Sequence, residues 1–133
     1  MTFGLKRRYG TITQPVGTTA DLLTLVDAVY EAETVTSVTY YPQGAVTGAA
    51  TNNRTFTLYN RGTGAGTVAV ATLSLVSGTN LSDNVAKAIT LSTTSANLLL
   101  AAGDLLEWES LHILTGLADP GGRVQVVTTR TLS

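Results

Sequence analysis

Cysteine is missing from the chain, and histidine and tryptophan occur once each, as His112 and Trp108. Without a thiol there is no disulfide and no thiolate metal site. A single histidine removes metal sites built on two and most acid–base relays. Charge is scarce as well: 13% of the 133 residues are charged, about half the usual share of roughly 25%. Eight basic residues stand against nine acidic ones, for a net charge of −1. That balance carries no nucleic-acid footprint. The longest purely apolar run, Leu98 to Ala102, falls far below the roughly 18 residues of a membrane helix. No membrane partner is therefore expected. The basic residues of Met1 to Pro15 are followed by no apolar core, so no secretory signal is expected there.

What the chain has instead is threonine, serine, valine and glycine in short alternating segments. Arg54 to Asn60 sets Phe56 and Leu58 against Thr55, Thr57 and Tyr59, the period of a half-buried strand. Gly62 to Gly66 supplies a hairpin turn, because glycine accepts the positive φ such turns demand. Thr67 to Val76 is the return strand, and its uniform low polarity implies burial on both faces or a bulge that shifts the phase. Thr34 to Tyr41, Val85 to Leu91, Asn97 to Ala101, Leu105 to Ile113 and Arg123 to Thr129 are further strands. Leu22 to Val29 reads as strand or helix start, with Thr24, Val26 and Val29 favouring strand. Asp119-Pro120-Gly121-Gly122 is a turn. About eight strands without a confident helix predict an all-β fold, a two-sheet β-sandwich or jelly roll over 21–133. Residues 1–20 lack a sustained period and are expected to form an extended N-terminal arm.

Candidate chemistry is sparse. Glu107 and Glu109 are the one close carboxylate pair, but they lie two apart on one strand, whereas glycosidase acids usually come from different segments lining a cleft. Asp104, Glu107, Glu109 and Asp119 do not follow the spacing of a calcium-binding hand. Gly62 to Gly66 lacks the Gly-Lys-Ser/Thr ending of a phosphate loop. No catalytic, metal or cofactor residue is expected, and His112 is expected to be a packed or interface residue. Phe56, Leu58, Leu73, Leu106, Trp108 and Val126 are the expected core. Lys6, Arg7 and Arg8 form the one basic cluster, read either as a solvated tail or as a contact for an acidic partner. Thr34 to Tyr41 and Thr67 to Val76 hold no Lys or Arg, the residues that normally guard an exposed strand edge. They are either central or covered by a partner.

Three stretches carry a resemblance: Asn53-Arg54-Thr55-Phe56-Thr57-Leu58-Tyr59-Asn60-Arg61-Gly62, Ala101-Ala102-Gly103-Asp104-Leu105-Leu106-Glu107-Trp108-Glu109-Ser110, and Thr115-Gly116-Leu117-Ala118-Asp119-Pro120-Gly121-Gly122. Together they resemble small virion proteins encoded among the head genes of tailed bacteriophages, and in particular the capsid decoration, or cement, proteins of actinobacterial phages. The resemblance implies a non-enzymatic subunit on the outer surface of the head, made in the host cytoplasm and bound to the major capsid protein. It also implies a homo-oligomer, with a trimer favoured over a dimer. Two alternatives stay open: a head-fibre, tail-tube or tail-fibre subunit, and a carbohydrate-binding module using Trp108, Tyr40, Tyr41 and Tyr59.

Overall fold

Period-two alternation produces strands almost everywhere it was expected. The computed structural model describes residues 5–14 and 17–130. In chain order its strands are β1 (Leu5–Ile12), β2 (Leu22–Ala28), β3 (Glu33–Pro42), β4 (Asn53–Asn60), β5 (Val68–Ser74), β6 (Lys87–Leu91), β7 (Leu99–Leu100), β8 (Leu105–Ile113) and β9 (Gly122–Arg130). The ambiguous segment after Asp21 is strand. The strand expected over 97–101 is instead a 3₁₀ turn, Ser95–Leu98, running into the two-residue β7.

Among the described residues all nine strands belong to one sheet, hydrogen-bonded in the order β1-β9-β3-β6-β5-β4-β8-β2, with β7 also on β3. Every pairing is antiparallel. This corrects the expected two-sheet sandwich, because the sheet curls until β1 and β2 meet in a nearly closed barrel. The turning point is β6. Its first half pairs with β3 through Lys87, Ala88 and Ile89, and its second half pairs with β5 through Thr90 and Leu91. One strand thus hands the ladder from one wall to the other, where a sandwich would have had two separate edges. Bulges add to the bend. The one in the β4–β5 hairpin, between Leu58 and Tyr59, puts Val70 and Ala71 in the interior consecutively.

The extended arm is corrected as well. Residues 5–12 pair with β9 along their whole length, from Leu5↔Thr129 to Ile12↔Gly122. Residues 1–4 and 15–16 of that expected arm lie outside the described residues. The apolar signal is weak because the inward positions of β1 are Arg8, Gly10 and Ile12, only one of them aliphatic. Gly10 has its own reason. A methyl group there would lie 3.1 Å from Val124 Cγ1 and 3.2 Å from Val26 Cγ2, so the missing side chain lets β1 settle against β2. Gly10→Val is expected to cost about 1–3 kcal/mol through overpacking. Denaturant titration measures that loss, and hydrogen exchange should show faster opening of β1 amides than of β4.

The core fills the barrel around a three-ring stack. Tyr40, Phe56 and Trp108 lie with centroids 5.1–5.4 Å apart and are each fully buried. Leu58, Leu106 and Val126 are also fully buried around them. Leu73 faces inward opposite Phe56 but is only half-buried, because β6 leaves β5 after Thr72 and no longer covers it.

Candidate functional site

Two polar clusters occupy the interior, one at each end of the strands. Asp27 of the first pairs with Leu106 near the start of β8, and Arg54 of the second pairs with His112 near its finish. Both arise from charged residues standing in the inward phase of a strand.

At the first end Glu33 is fully buried. Its Oε1 accepts from Arg8 Nη1 and from Thr128 Oγ1 at 2.6 Å, and its Oε2 accepts from Arg8 Nη2 at 2.8 Å and Lys6 Nζ at 3.4 Å. Arg8 Nε donates to Asp27 Oδ2 at 3.0 Å. Lys6 also pairs with Glu31, which Arg130 meets at 3.3 Å. Four strands are joined in this way across the seam between β1 and β2. Burial pushes the Glu33 carboxyl up, but the bonds from Arg8 and Thr128 and the charges of Arg8 and Lys6 outweigh it, holding it below its ordinary value. The bond that Arg8 donates to Glu33 in turn raises Arg8, against the opposing effect of burial.

At the other end the Arg54 guanidinium is fully buried and staples three segments. Nε donates to Leu117 O at 2.7 Å, Nη1 to Ser110 Oγ at 2.9 Å, and Nη2 to Thr18 O and Ala20 O at 3.0 and 2.8 Å. No carboxylate among the described residues pairs with it, and burial lowers its pKa. Asp119, also fully buried, accepts at Oδ1 from Tyr40 Oη at 3.1 Å and from the Gly121 amide at 2.9 Å. Burial, with the nearby Asp119 carboxylate, pushes the Tyr40 phenol far up. The same turn needs glycine at 122, where φ is +152° and a side chain would strike Tyr41 O.

The basic cluster Lys6-Arg7-Arg8 is therefore not one surface. Strand alternation sends Arg8 inward and leaves Arg7 exposed, while Lys6 sits at the rim bound to glutamates. His112 Nδ1 meets Asp21 Oδ1 at 2.7 Å, and its amide donates to the same oxygen at 2.8 Å. That pairing ties β8 to the entry of β2. Glu107 is held by Arg61 at 2.9 Å, and Glu109 accepts from the Tyr59 hydroxyl at 3.4 Å. Asp104 instead accepts from Asn60 and the Ala101 amide. No group of three or more potential metal ligands converges among the described residues. A shallow groove of about 340 Å³ between β5, β6 and the 3₁₀ turn is lined by Ala69, Ala71, Thr72, Leu91 and Asn97 among others, none of them charged.

Arg54, Glu33 and Asp119 were missed from the sequence. For the first two the signal was there: Arg54 keeps phase with Phe56 and Leu58, and Glu33 with Val35, so each had to point inward. Comparison with family models, with curated proteins and with solved structures finds no match.

Proposed function

We propose that this barrel is a structural subunit of a phage virion, a decoration protein bound to the major capsid protein on the outside of the head. The observation that carries the reading is where the polar chemistry lies. The charged residues with the most partners, Arg8, Glu33 and Arg54, hold strands and loops together from inside the barrel. The outer faces of β4, β5 and β6 are mainly threonine and serine, with Thr57, Thr72 and Thr90 in one cross-strand row and Thr55 beside Ser74. A rigid, sparsely charged exterior suits a subunit whose role is to lie against other subunits, and it needs no reactive group. The resemblance to head-gene proteins supports the same role. Of the aromatic residues a sugar platform would use, Tyr40 and Trp108 are fully buried, and Tyr59 lies under the Arg61 guanidinium at 4.1 Å.

A cement subunit binds the assembled shell and not its free parts, so its stabilisation appears only on the shell. Virions lacking the protein should assemble heads normally yet release DNA at a lower temperature than wild type. Imaging of purified virions should place its density on the outer head surface. Unchanged heat resistance, or density on the tail, would move the protein to a fibre or tail role.

A further inference from the structure

The outer wall built by β1, β9 and β3 gathers aromatic and basic side chains and no acidic one. Given the capsid reading, on which this rests, we infer that the wall is the face that meets the head and that its partner there is an acidic protein surface of the assembled shell. The register sets the wall out in successive outward rows: Arg7 beside Val127, then Tyr9 beside Gln125, then Arg123 beside Tyr41. Both arginines are exposed, as are Tyr9 at 49% and Tyr41 at 37%. No outward position of the three strands is acidic. The chain has nine acidic residues against eight basic ones, so the wall is a segregated patch and not a sample of the whole surface.

The side chains are also held ready. Gln125 Nε2 donates to Tyr9 Oη and Tyr41 Oη donates to Gln125 Oε1, each at 3.1 Å. One amide thus fixes both rings, and Arg123 lies over the Tyr9 ring at 5.4 Å. Side chains already ordered lose less entropy when a partner covers them. Neither Arg7 nor Arg123 has a carboxylate partner among the described residues. Glu31, at one end of the wall, is taken by Lys6 and Arg130. Asp83, at the other, belongs to the loop whose Asn84 amide bonds Pro42 O. Tyrosine and arginine are the residue types that concentrate binding energy in protein–protein contacts. Two free guanidiniums are few for a phosphate backbone, whose binding draws on many cations. A sugar would need the ring face of Tyr9 that Arg123 already holds. Free positive charge around fixed tyrosines therefore fits an acidic protein surface best.

Charge reversal tests it. Heads assembled without the protein are mixed with the purified full chain and sedimented, and the bound fraction is measured. Wild type should bind, more weakly as salt rises. Arg7→Glu and Arg123→Glu, each folded by circular dichroism, should each bind about tenfold more weakly. Tyr9→Ser should weaken binding at every salt concentration. Val68→Glu adds a negative charge at a 42% exposed position of β5, on the opposite side of the barrel, and should bind like wild type. If a reversal fails to fold, Arg7→Gln and Arg123→Gln carry the test, and each should reduce the salt dependence. Wild type that does not bind heads would overturn this docking face together with the capsid reading. Reversals that bind like wild type, or a Val68→Glu that loses as much as they do, would overturn the face alone. Retention of wild type on sheared double-stranded DNA at the same salt would assign the wall to nucleic acid and overturn it too.

Discussion

Arg8→Met should destabilise the protein by about 3–5 kcal/mol, the range for leaving one partner of a buried ion pair alone. The guanidinium gives Glu33 two of its hydrogen bonds and reaches Asp27 across the seam. Without it a fully buried carboxylate keeps only Thr128 and a distant Lys6. The pH dependence identifies the cause. In the wild type Glu33 is held below its ordinary 4.5, so its stabilisation is present above that value and is lost as pH falls through the lower folded value. In the variant burial dominates and the folded value rises above the unfolded one, so stability falls as pH climbs through 4.5. The gap between the two proteins should therefore be widest near neutrality and close in acid. Urea titrations across that range measure it. The double variant Arg8→Met/Glu33→Leu should recover much of the loss, since no fully buried carboxylate is then left unpaired, while the Thr128 hydroxyl, which bonds both side chains, keeps part of the cost. A gap that does not vary with pH would place the cost in packing and not in the ion pair.

Trp108→Ala is expected to cost about 3–5 kcal/mol, the range for an aromatic residue deleted from a packed core. The indole is fully buried and stacks on both Tyr40 and Phe56. Its loss opens a cavity that two rigid neighbouring rings cannot refill. Trp108→Phe keeps a ring in place and should cost less than half as much. Because the chain has one tryptophan, its emission reports the same site: blue-shifted when folded, moving red in one cooperative step on unfolding. A loss under about 1 kcal/mol in Trp108→Ala would mean that the core collapses around the missing ring and leaves no such cavity.

Much of the interior was legible because alternation is a local property. Phe56 and Leu58 on β4, and Leu106 and Trp108 on β8, stand in phase with one another, and their strands pair directly. Closure was not legible, since a strand alternates in the same way in a sandwich and in a barrel. What decides between them is the handover at β6 and the meeting of β1 with β2, both long-range. The first strand was hidden for a different reason. Its inward side chains are an arginine and a glycine as well as Ile12, so a count of apolar residues reads it as arm. Arg8 in that position makes sense only beside Glu33 and Thr128, which lie on distant parts of the chain. The candidate site was partly legible: Arg54 alternates visibly with Phe56 and Leu58, but its partners Leu117, Ser110, Thr18 and Ala20 depend on how distant segments pack.

The pairing of β1 with β9 also governs when the fold can form. Arg8 and the Thr128 it bonds are 120 residues apart, and β9 is the neighbour of β3 as well as of β1. As the chain leaves the ribosome, its first strand finds no ladder, and one long edge of β3 stays open, until β9 emerges. Contacts of such large sequence separation incur their loop-closure entropy before they return any stabilisation, which slows folding. The nascent protein therefore waits, and the barrel closes in one late event when β9 slots between β1 and β3.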